Sequence, residues 1–107
     1  MGRPLQKKDH RTTKQDAAKY AKRHRKEGKH DKPFPPVAFH RDAFDRILAQ
    51  PGCVGIRSYP GLTDANEPTM VLVGVDASGN DMVDGALAQF AEPCPTNCSD
   101  TNVLNTD

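Results

Sequence analysis

Three cysteines carry the most specific chemistry in the chain: Cys94 and Cys98, separated by Pro-Thr-Asn, and Cys53 far upstream. A C-x3-C spacing lets two thiolates converge on one ion, with Cys53 as a third ligand and His40 or a water as the fourth, which makes zinc the one cofactor the residue types suggest. Zinc motifs of high specificity carry two paired ligand sets, whereas this chain has one pair and a singleton. The commoner reading of the same residues is therefore buried or free thiols and no cofactor, with a local disulfide as a third. The spacing is not the C-x-x-C of redox enzymes.

A second constellation is electrostatic. Residues 1–32 hold twelve Lys or Arg against four Asp or Glu, a balance of +8, while residues 33–107 hold three against ten, a balance of −7; the net charge of +1 hides two opposite halves. Such asymmetry marks a basic arm on an acidic body. The candidate contacts are Lys19, Lys22, Arg23, Arg25, Lys26 and Lys29, which can neutralise phosphates or meet an acidic protein surface. Tyr20 is the only aromatic among them, so the arm lacks a base-stacking platform, and a nucleic-acid partner would be held by its backbone without sequence reading. The competing readings are a solvated tail that aids solubility and an arm that meets its own acidic body.

Two further patterns fail on inspection. The spacing of Asp76, Ser78, Asn80, Asp81 and Asp84 resembles a calcium loop, but Asp81 stands where glycine is required and Leu87 where the closing glutamate belongs, so an ordinary Asp/Gly turn is expected. No nucleophile elbow, phosphate loop, HExxH or carboxylate pair at meaningful spacing is present, and His40, on the flank of an apolar stripe, suits capping or packing better than chemistry. The expectation is a protein that is not an enzyme.

The elements that must position these residues are few. From Cys53 to Tyr59 the chain alternates, with Val54 and Ile56 on one side and Cys53, Gly55, Arg57 and Tyr59 on the other, as in a half-buried strand. Pro60, Gly61, Asp64, Asn66 and Pro68 form a turn cluster, read as a loop of about eight residues. Residues 69–75 (TMVLVGV) then have the composition of a strand covered on both faces, which gives a hairpin. Residues 39–50 form an amphipathic helix, with Ala43, Phe44, Ile47 and Leu48 on the face that covers the hairpin. Residues 82–91 favour a helix slightly over a third strand. In the arm, Thr13 and Asp16 resemble a helix start, Ala17, Ala18 and Ala21 favour helix, and Gly28 offers a stop.

The expected organisation is α+β: a small antiparallel hairpin or three-stranded sheet covered by one amphipathic helix, with a basic N-terminal arm. Residues 1–32 form the arm, disordered to about residue 12 and then marginally helical; 33–36 a proline hinge; 37–98 the globule; and 99–107 a polar tail that frays. The phrase PGCVGIR, followed by MVLVGVD and a GND turn, resembles one shared by small uncharacterised bacterial proteins over roughly half the chain, and this resemblance implies no activity and no site residue. The residues present no secretory leader and no stretch long enough to span a bilayer, so the expected setting is cytoplasmic, without a membrane partner. The small stock of large apolar side chains leaves the globule marginal, and a homo-oligomer or larger assembly is expected to support it.

Overall fold

The computed structural model describes residues 2–28, 34–95 and 97–106. Helix α1 (Lys14–Glu27) is followed by strand β1 (Val37–Ala38), helix α2 (Arg41–Leu48), strands β2 (Cys53–Leu62) and β3 (Pro68–Asp76), and the short β4 (Leu87–Ala88) and β5 (Glu92–Pro93). Antiparallel pairing gives a three-stranded sheet of order β2-β3-β4 and a separate two-stranded one, β1-β5. The α+β expectation holds, and the sheet takes its three-stranded form.

The hairpin is longer than the turn residues suggested. β2 and β3 pair from Cys53↔Asp76 to Leu62↔Pro68, so Pro60 and Gly61 lie within the ladder and the loop shrinks to residues 63–67. β2 is an edge strand, and an edge tolerates a proline because one row of its backbone donors faces away from the sheet. Asn66, at φ 65°, and the Thr63 N–H donating to the Glu67 carbonyl at 2.9 Å close the loop.

The simple alternation of β2 is also corrected. Register shifts between Cys53 and Gly55, which makes Val54 the extra residue of a bulge, 56% exposed. One inserted residue reverses the facing of what precedes it. Cys53 and Ile56 therefore pack together against the core of Ile47, Leu72 and Ala88. β3 is covered on both faces, as its composition required: consecutive residues from Leu72 to Val75 are all buried.

Residues 82–91 form no helix. Leu87 and Ala88 pair with Val73 and Leu72, and Val75 bridges Asp81. The side chain of Gln50 explains this outcome. Its Oε1 accepts from the Ala86 N–H at 2.7 Å and its Nε2 donates to the Ile47 carbonyl at 2.9 Å, tying the end of α2 to the start of β4. A Cβ on Gly85 would collide with that amide. α2 is shorter than expected at both ends, its start capped by His40, whose Nδ1 accepts from the Asp42 N–H at 3.1 Å. Ile47 is fully buried, but Phe44 and Leu48 remain 38% and 50% exposed, so half the apolar stripe finds cover.

Both termini make contacts with other parts of the chain. Residues 2–12 adopt no regular structure yet cross the sheet, where the backbone of Arg3 passes so close to Gly79 that a Cβ there would strike it, and Leu5 faces Gly55. The tail winds into a knot in which Asn102 Nδ2 and Asn105 Nδ2 donate to the Asp100 carbonyl at 3.0 and 3.1 Å. No helix among the described residues is long and apolar enough to cross a membrane.

Candidate functional site

α1 begins where Thr13 Oγ1 accepts from the Asp16 N–H at 3.0 Å, which satisfies one of the donors that a helix start leaves open. Three alanines hold its first turns in helix, and His24, Arg25 and Lys26 occupy the last turn, where the dipole favours cations. None of its residues is buried. Ala17, Ala18, Ala21 and Arg25 are half-buried, which defines an inner side. Arg25 works on that side, its guanidinium donating to the carbonyls of Leu104 and Thr106.

The outer side holds Lys19, Lys22, Arg23 and Lys26, all exposed. Spacings of three and four bring these residues onto one stripe. Lys19 and Arg23 flank the ring of Tyr20, at 5.1 and 5.7 Å from its centre. Asp16 approaches Lys19 at 3.8 Å and Glu27 approaches Arg23 at 3.9 Å, both in open solvent. Exposed pairs of this kind contribute about 0–1 kcal/mol each and exchange readily for another anion. Of the six cations expected to meet a partner, the structure brings four together, turns Arg25 to the tail, and leaves Lys29 outside the described residues.

The cysteines do not assemble with His40. Cys94 and Cys98 are joined by a disulfide, their Cα atoms 4.7 Å apart, while Cys53 is a free thiol donating to the Gly55 carbonyl at 3.2 Å beneath α2. His40 caps its helix. No group of three or more His, Cys, Asp or Glu suited to a metal ion occurs among the described residues. The Asp76 carboxylate is likewise occupied, accepting from the Ser78 and Asn80 N–H groups at 2.9 and 3.0 Å as an ordinary turn requires.

One polar cluster escaped the sequence reading. Arg57 and Tyr59, two apart on one face of β2, reach across β3 to Asp81: Arg57 Nη1 donates to Oδ1 at 2.6 Å and the Tyr59 hydroxyl to Oδ2. These hydrogen bonds, Tyr59's foremost, hold the Asp81 carboxyl below the usual carboxylate range, and the same carboxylate raises the Tyr59 phenol. The shared facing of Arg57 and Tyr59 was visible in the alternation; their acceptor, brought in by a turn, was not. The cluster fastens the sheet.

No protein-family model, curated protein or solved structure matches the chain.

Proposed function

We propose that this is a non-enzymatic binding protein whose helix α1 docks on the phosphate backbone of a nucleic acid. The supporting observation is the chemistry of its outer stripe: Lys19, Lys22, Arg23 and Lys26 stand exposed together, and the aromatic side chain beside them, Tyr20, is overlaid by two of the cations. The core of a protein–protein contact is typically depleted in charged residues and enriched in apolar and aromatic ones. A phosphate polymer requires only cations and the release of its counterions. The exposed Asp and Glu of the body, which carries −7 over residues 33–107, repel the same polymer and confine contact to the arm. An acidic protein surface is the weaker occupant on this ground.

The reading is tested by fluorescence anisotropy with a labelled duplex of arbitrary sequence. Joint substitution of Lys19, Lys22, Arg23 and Lys26 by alanine is expected to remove binding while the far-ultraviolet circular dichroism of the helix persists, since alanine favours helix. Changing the duplex sequence is expected to leave affinity unaltered. Undiminished binding by the fourfold variant contradicts the proposal.

The apolar side chains left exposed beside β4, Leu87 at 45% and Phe90 at 85%, support the further reading that the body associates with copies of itself or enters a larger assembly.

A further inference from the structure

We infer that the Cys94 and Cys98 disulfide is a thiol-sensitive latch that decides whether α1 is held against the body. The disulfide lies where the roots of the arm and the tail meet. The Cys94 N–H donates to the Pro36 carbonyl at 2.8 Å, so the bridge is fastened beside the connector that leads from the arm. Beyond Cys98 the chain enters the knot built around Asn102 and Asn105, and this knot grips the helix. Val103 and Leu104 line one open cleft with Thr13, Lys14 and Ala17, and the Leu104 and Thr106 carbonyls accept from Arg25. α1 has no buried residue, and its Arg25 is tied to the tail, so the tail contributes to fixing its position.

The bridge controls how far the knot can move. It keeps the Cα atoms of Cys94 and Cys98 4.7 Å apart, whereas four extended residue steps reach about 13–14 Å. Once the bridge opens, the closure that remains among the described residues includes the Asn97 N–H donating to the Pro93 carbonyl at 2.9 Å, a bond between exposed residues for which water competes. The local concentration of the knot beside α1 then falls, and the Arg25 contacts fall with it. Cys98 is exposed, so an incoming thiolate has access to its sulfur, and exposed disulfides are the labile ones.

The step is a two-electron exchange. One thiolate of a dithiol reductant attacks the Cys98 sulfur, forming a mixed disulfide and releasing the Cys94 thiolate. The second thiol of the reductant, deprotonated, displaces Cys98, closing the reductant into its own cyclic disulfide. The two protons lost by the reductant end on Cys94 and Cys98.

The latch is tested by hydrogen–deuterium exchange with mass spectrometry on the full chain carrying Cys53→Ser, with and without dithiothreitol and with no nucleic acid present. Its failure is thereby separable from failure of the phosphate reading. Reduction, verified by alkylation of both thiols, is expected to speed exchange over residues 17–27 and 100–106 by about threefold or more while residues 70–75 stay protected. Adding Cys94→Ser and Cys98→Ser is expected to reproduce that pattern without reductant. Unchanged exchange in α1 overturns the inference, as does a bridge that the dithiol cannot open. Loss of protection throughout the sheet overturns it as well, because the bridge would then be a general staple instead of a local latch.

Discussion

Asp81 illustrates how much a single side chain can hold at a small sheet. It receives Arg57 and Tyr59 from β2 across the width of β3, and both donors make the carboxylate form the favoured one. The sign of the pH effect follows. Because its folded pKa lies below the unfolded value of about 3.9, the stabilisation is complete above that value and is lost as pH falls through the lower folded one. Tyr59 acts in the opposite sense: its raised phenol contributes fully below its unfolded pKa of about 10 and loses that contribution as pH rises through the folded value. Thermal unfolding of the wild type and of Asp81→Asn is expected to differ by a constant interval between about pH 5 and 8, and the interval is expected to narrow below about pH 4. An interval that does not change with pH removes Asp81 from this role.

Among the elements, the β2–β3 hairpin and α2 were legible because pattern and packing agree there. The dense apolar run of β3 demanded cover on both faces and has it. What the sequence concealed lay where one local feature overrides a period. The bulge at Val54 reverses the facing of Cys53, no residue type announces it, and the strict alternation therefore failed at that point. The alternatives at residues 82–91 were close, and β4 is tied in place by the Gln50 side chain, which is distant in sequence. The candidate site was legible in its charges and not in its orientation: the density of cations singled out six residues, while the stripe of Lys19, Lys22, Arg23 and Lys26 and the partners of Arg25, from the far end of the chain, emerge only in the fold. These assignments predict unequal costs. Ile47→Ala, which empties a fully buried site, is expected to cost about 2–5 kcal/mol in denaturant unfolding, whereas Val54→Thr, on the outward bulge, is expected to stay within about 0.5 kcal/mol. Equal costs refute the bulge assignment.

At the scale of the whole molecule, the first residues of the basic arm lie on the body, while helix α1 keeps Lys19, Lys22, Arg23 and Lys26 exposed. The body is thin: Ile47, Leu72, Val73, Val75 and Ala88 are its buried apolar residues among those described, while Val54, Leu62 and Phe90 stay largely in water. A body of this kind is a modest scaffold on which to display a helix. Arg25 of the helix donates to the tail, and Lys19, Lys22, Arg23 and Lys26 stand exposed. Contact with a polyanion then requires no catalytic geometry and no preformed cavity, and its strength resides in displaced counterions.

The most direct measurement of that claim is the salt dependence of duplex binding by the full chain. With four phosphates neutralised by Lys19, Lys22, Arg23 and Lys26, the logarithm of the association constant is expected to fall against the logarithm of salt concentration with a slope of about −3 to −4. A slope near zero, or one that the fourfold alanine variant leaves unchanged, contradicts the account.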